Sequence, residues 1–195
     1  VLGQVARTYI IAEGPEGIFL VDQHAAHERV LFERFSKSQL ESAKSASQAL
    51  LDPIAVNLTP RQAARLETHY AAFAGVGFSV EPFGGNTFLI RAIPSILREG
   101  DPRSAFVNIL DEMAQEDEGR TAEHSSPIHV QLEAVLIASV CKQSAIKGGR
   151  LLSMPEMQEL IQQLEQCESP RTCPHGRPTV IRLGLEQLAR EFRRT

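Results

Sequence analysis

The chain has 195 residues, is 43% hydrophobic and holds three cysteines, which is enough apolar material for one ordinary domain or two small lobes and too much for a disordered tail. Net charge is −4 and the pI is near 5.9, which argues against a domain that grips nucleic acid with a basic face alone. No targeting signal stands at Val1, the apolar run at residues 130–140 is interrupted by Gln131, Glu133 and Ser139, and an odd cysteine count suits no disulfide framework. A soluble, membrane-free chain in a reducing cytoplasm is therefore expected.

In chain order, residues 5–12 and 18–21 are β-branched and apolar around a Gly- and Pro-containing turn, and predict a hairpin. Residues 25–37 carry Ala26, Val30, Leu31 and Phe35 on one stripe and predict a helix, with Asp22 as its cap. An exposed Ser/Lys/Ala-rich segment, 38–47, leads to a strand at 50–58 and a helix opening at Thr59-Pro60 that ends by Gly75. A second hairpin is expected from 78–80 and 87–90, then a helix over 103–115 and an acidic linker over 116–126. Beyond Pro127 come an apolar helix over 130–146 that stops at Gly148-Gly149, a helix over 154–166, a loop over 171–178, a short strand over 179–183 and a closing helix over 185–193. The fold class is α+β in two lobes, residues 1–49 with 127–195 forming one and residues 50–126 inserted as the other.

Several residues have the chemistry of ligands. His24 and Glu28 stand four apart at the start of a helix, on one face, able to reach one ion or to form an ordinary solvated surface. Cys173-Pro174-His175-Gly176-Arg177-Pro178 puts a thiol and an imidazole two positions apart, on one side of an extended segment, a pair suited to zinc and needing two further ligands. Its alternative is a buried cysteine beside a hydrogen-bonded histidine. Cys141 on the apolar helix is either core or the second thiol. Taken together, Glu28, Cys141, Cys173 and His175 would hold Zn²⁺, leaving Asp22 and His24 for a more labile Mg²⁺ or Mn²⁺. Two such ions suit phosphodiester hydrolysis, with Lys142, Lys147 and Arg177 as phosphate contacts or plain solvated charges. Neither H-E-x-x-H nor the zinc-deaminase pattern is present; His27, on a different face from Glu28, is given no part in the metal site, and Cys167 reads as an ordinary thiol.

These residues resemble a known family. Asp22-Gln23-His24-Ala25, two residues, Glu28, four residues, Glu33 is similar to the D-Q-H-A-x2-E-x4-E motif of the C-terminal domain of endonuclease-type MutL mismatch repair proteins. Residues 173–178 resemble its C-P-H-G-R-P motif, and Ser139-Val140-Cys141-Lys142 its A-C-R/K motif, with Val140 where alanine is usual. Gly3-Gln4, and Phe192 with Arg194, are also like family positions. The resemblance implies a metal site from His24, Glu28, Cys141, Cys173 and His175, with Asp22 essential for nicking double-stranded DNA. It also implies a homodimer that works with a mismatch-recognition protein and with the ATPase half of the same protein in a bacterial, nucleoid-associated setting. That ATPase half is not in this sequence, and no nucleotide site is expected. Gln48, Leu50, Leu51 and Pro53 resemble the family's docking segment for the replication sliding clamp, a partner able to supply the DNA affinity an acidic nuclease lacks. Glu33 lies about 140° around the helix from Glu28 and reads as an ion-pair partner of Arg29. The competing reading is a non-catalytic, zinc-stapled dimerisation and partner-docking module; a small-molecule hydrolase is a third.

Overall fold

The computed structural model describes residues 1–41, 47–97, 100–119 and 128–194. Its elements make an α+β protein with two antiparallel sheets, and the chain divides into two compact units, Val1–Arg34 with Ala145–Thr195, and Phe35–Ser144.

In the first unit, β1 (Gly3–Val5), β2 (Tyr9–Gly14), β3 (Gly17–Asp22) and β7 (Val180–Gly184) form a sheet in the order β1-β2-β3-β7. The single strand expected over residues 5–12 is two strands, because Ala6 and Arg7 take left-handed φ values of 51° and 50° and turn the chain back on itself, a conformation that costs of order 1 kcal/mol for each non-glycine residue. Gly17 joins β2 to β3 at φ 131°, and a Cβ there would lie 2.2 Å from the Leu183 carbonyl oxygen, so only glycine lets β7 approach. Helix α1 (Gln23–Glu41) follows β3 directly. Ala26 and Val30 of α1 pack with Ile10 and Val21 of the sheet and with Leu152, Met157, Leu160 and Leu164 from and beside α6 (Met154–Glu165) to make this unit's core. α6 starts with a full capping box, Ser153 and Glu156 each bonding the other's backbone N–H. Helix α7 (Leu185–Glu191) closes the unit.

The second unit holds β4 (Ser47–Asn57), α2 (Pro60–Thr68), α3 (Tyr70–Gly75), β5 (Ser79–Gly84), β6 (Thr87–Pro94), α4 (Pro102–Gly119) and α5 (Ile128–Ser144), with sheet order β4-β6-β5. One helix was expected after Thr59, and two are found, broken at His69, whose N–H bonds the Arg65 and Leu66 carbonyls. Phe73, Phe78 and Phe106 stack edge to face, centroids 5.2 to 5.7 Å apart, at the centre of this unit. The acidic residues 116–119, expected as linker, continue α4 instead; the remainder of that linker, 120–126, and residues 42–46 of the Ser/Lys/Ala-rich segment lie outside the described residues. No helix among the described residues is long and apolar enough to cross a membrane.

Candidate functional site

The β3–α1 junction sets the site. Asp22 ends β3, and its Oδ1 accepts the N–H of His24 at 2.9 Å and of Ala25 at 3.0 Å, so it caps α1 as expected. The cap orients the first turn. His24 Nδ1 lies 2.9 Å from the Ile146 carbonyl oxygen; with the ring neutral, Nδ1–H donates there and Nε2 keeps a lone pair for a ligand role. His27, one turn on, accepts the Ile146 N–H at Nδ1, 2.9 Å. Burial first, then the charges of Arg34, Arg150 and His24, lower its pKa from 6.5 to about 4, so it is neutral and holds the Ile146 peptide from the opposite side to His24. The apolar helix ends at Ser144, short of the expected residue 146.

Glu28 is fully buried. Its Oε2 receives Arg177 at 3.3 Å, and its Oε1, which makes no hydrogen bond of good geometry, abuts His175 Nδ1. Burial opposes the carboxylate charge, but His175, Arg177 and His24 outweigh it and hold the pKa below the usual value. Cys173 is also buried, at 2% exposure, and the ligand atoms of Glu28, Cys173 and His175 all lie within 4.8 Å of one another. Residue 28 thus meets residues 173 and 175 through the fold. An oxygen, a sulfur and a nitrogen at that spacing, two of the three side chains being buried, fit a zinc-type ion.

The Cys173–His175 segment differs from expectation in its geometry. It is a turn, not an extended stretch: Gly176 N–H bonds the Cys173 carbonyl at 2.9 Å and Cys173 N–H the Arg177 carbonyl at 2.8 Å, with Gly176 at φ 78°. Pro174 sits at the first corner, where its fixed φ suits a turn, and glycine alone takes the last position without strain. The thiol and imidazole therefore converge through the turn rather than by strand alternation. Around it, Arg29 Nε donates to the Thr172 carbonyl at 2.6 Å, and the Glu33 carboxylate accepts the N–H of Glu168 at 2.7 Å and of Ser169 at 3.0 Å. Glu33 also lies 3.8 Å from Arg29, the pairing read from the sequence.

Asp22 and His24 stand beside this three-ligand group without belonging to it. Cys141 is buried on α5 in the second unit, where Lys142 pairs with Glu112 at 2.9 Å. Gln48, Leu50, Leu51 and Pro53 all lie in β4. Register jumps there from Ala49↔Ala92 to Ile54↔Ile90, so residues 50–53 bulge opposite Arg91 alone, and Leu51 is 98% exposed. Cys167 bonds the Gln163 carbonyl along α6.

Gln23 escaped the sequence reading as anything but a motif letter. It is fully buried; its Oε1 accepts from Gln4, and its Nε2 meets the carbonyls of Arg7, Lys147 and Arg150 at 2.9, 3.2 and 3.2 Å. An uncharged polar residue between Val21 and Ala25-Ala26, all buried, is the signal that could have found it.

Residues 2–152 match the family described as "MutL C terminal dimerisation domain". The chain is 42% identical over 193 residues, 99% of its length, to the DNA mismatch repair protein MutL of Symbiobacterium thermophilum, covering 30% of that protein. It is 39% identical to MutL of Desulforudis audaxviator over 99% of its length and 32% of that protein, and 41% identical to MutL of Methanoculleus marisnigri over 99% and 32%. It thus spans about a third of the length of the curated relatives it matches. With three quarters of its length inside the family match, the chain belongs to the MutL C-terminal dimerisation domain family.

Proposed function

We propose that this chain is the metal-dependent DNA-nicking and self-associating part of a mismatch repair protein. The observation that carries this reading is the meeting of Glu28, Cys173 and His175 within 4.8 Å, beside an aspartate and a histidine whose positions are fixed by Asp22 capping and by the Ile146 carbonyl. Glu28, Cys173 and His175 are the residues that would hold zinc; Asp22 and His24 would serve a harder ion, Mn²⁺ or Mg²⁺. Bound divalent ions supply Lewis acidity and an activated water for phosphodiester hydrolysis. The protein's own share is to exclude water around Glu28, keep His24 in one tautomer and hold Arg177 beside the carboxylate. Partners follow from the same reading: double-stranded DNA, a sliding clamp engaged by the exposed β4 bulge, the ATPase half of the same protein and a mismatch-recognition protein. The second unit is then the docking, regulatory part.

Asp22→Asn tests it. Asparagine keeps the Oδ1 acceptor and caps helices as well as aspartate, so the fold should hold while the charge is lost. The expected result, read in the full-length protein with its clamp, is Mn²⁺-dependent nicking of supercoiled plasmid that falls by about ten- to a hundredfold or more in the variant, the lower bound being the scale for disturbing even a group that supports a metal ligand. Equal nicking by both proteins, or none by either, removes the reading. One observation favours a second: Asp22 Oδ1 already has a structural duty as a cap, as a purely zinc-stapled dimerisation module would require. Under that reading Asp22→Asn leaves repair intact. Cys141→Ser, assayed for zinc content, tests the ligand role that the sequence resemblance implies for Cys141.

A further inference from the structure

Two basic loops from opposite ends of the sequence are tied to the same buried side chain. The turn at residues 6–8 carries Arg7, and the loop at 147–150 reads Lys147-Gly148-Gly149-Arg150. Gln23 Nε2 faces the carbonyls of all three cationic residues, Gly149 N–H bonds the Arg7 carbonyl at 2.9 Å, and Gln4 Nε2 bonds the Arg150 carbonyl at 3.0 Å. With their carbonyls turned inward, Arg7, Lys147 and Arg150 are all exposed. Gly149, at φ 88°, has open space where a Cβ would stand, and Gly148 meets only the Thr8 hydroxyl at 3.9 Å, so a ligand can reach the backbone itself. The loop begins one residue after Ile146, whose carbonyl holds His24.

We propose that residues 6–8 and 147–150 form a rim that grips the phosphates of duplex DNA and lays the strand across the Asp22–His24 end of the site, with Gln23 as the positioning residue that sets the rim. This rests on the nicking reading above and adds to it the surface that meets the substrate. Asp22 Oδ1 is turned inward onto the α1 N-terminus, and Glu156 lies 3.6 Å from Arg150 with both side chains about half exposed, a surface pairing that a phosphate displaces readily. In a chain of net charge −4, three exposed cations around two glycines make a local positive field that suits a polyanion.

The test is duplex binding by the chain without metal, read as affinity against salt between about 50 and 200 mM. Arg7→Gln, Lys147→Gln and Arg150→Gln together should weaken binding more than about tenfold at low salt and flatten the slope of log affinity against log salt by about 3, close to one for each lost phosphate contact. Each single substitution should flatten it by about one, which keeps the test decisive should the triple variant fail to fold. An unchanged slope overturns the rim, as does absence of duplex binding by the wild-type chain, or loss of binding to an acidic peptide with duplex binding intact. Nicking is scored separately. A rim-dependent slope without Asp22-dependent nicking sustains the rim and sinks the nicking reading; Asp22-dependent nicking with an unchanged slope does the reverse.

Discussion

At the scale of single residues, the most informative group is one the metal-ligand pattern passes over. His27 is kept neutral by burial, with its pKa lowered from 6.5 to about 4. A histidine whose folded pKa is depressed stays neutral in the fold while the unfolded chain takes up a proton. Its contribution is therefore present above pH 6.5 and is lost as pH falls toward 4, by no more than about 3 kcal/mol once screening is allowed for. Denaturant midpoints measured at pH 7 and pH 5 should show the drop, and His27→Gln should start lower and show less of it; an equal drop in the variant sinks the assignment. Glu28 pulls in the same direction at lower pH, since its carboxyl is held below the usual value. Replacing Cys173 by serine should lower bound zinc to a small fraction of wild type by elemental analysis, with the turn still closed by its two backbone bonds. These residues separate what was legible in sequence from what was not. Asp22, His24, Glu28, Cys173 and His175 could be picked out because few roles suit a thiol, an imidazole and a carboxylate so spaced. Gln23, Gln4 and His27 could not, because their amide and imidazole partners include backbone carbonyls and N–H groups more than a hundred residues away, and a linear pattern does not show them.

Among elements, legibility followed local chemistry. The cap at Asp22, the helix opening at Thr59-Pro60 and the hairpin around the glycine pair at residues 84–85 are short-range signals, and the structure has them. The breaks were missed where no glycine or proline marks them: at Ala6 and Arg7, which take positive φ, and at His69 between α2 and α3. Strand β4 was expected to begin at residue 50 and begins at Ser47, because pairing with β6 extends it past the apolar run. Its bulge leaves Leu51 almost wholly in water, so Leu51→Glu should change stability by no more than about 0.5 kcal/mol while abolishing binding to a sliding clamp, measured by surface resonance; retained binding removes the docking role. The core of the first unit behaves oppositely. Leu160 is 3% exposed among Met157, Leu164 and Val30, and Leu160→Ala should cost about 2 to 5 kcal/mol, seen as a lower thermal midpoint.

For the whole molecule, the exposed apolar residues of the first unit point to where a second copy of the chain would sit. Ile181 on the edge strand β7 and Leu185 at the start of α7 are 57% and 61% exposed, unusual for large aliphatic side chains and natural in a member of a dimerisation family. Ile181→Lys with Leu185→Lys should shift the species seen by sedimentation from dimer toward monomer; an unmoved dimer places the interface elsewhere. The composition of the first unit, two segments at the ends of the chain with residues 35–144 between them, has a consequence in time. On the ribosome, β1, β2, β3 and α1 emerge early, yet β3 pairs with β7 at Val21↔Val180 and its core waits for α6. At about 5 to 20 residues per second, several seconds of synthesis pass before residues 173 and 175 can reach Glu28. A nascent chain interrupted anywhere before Cys173 carries Glu28 without the two side chains that gather beside it, so the group assembles only after the whole intervening unit has been made.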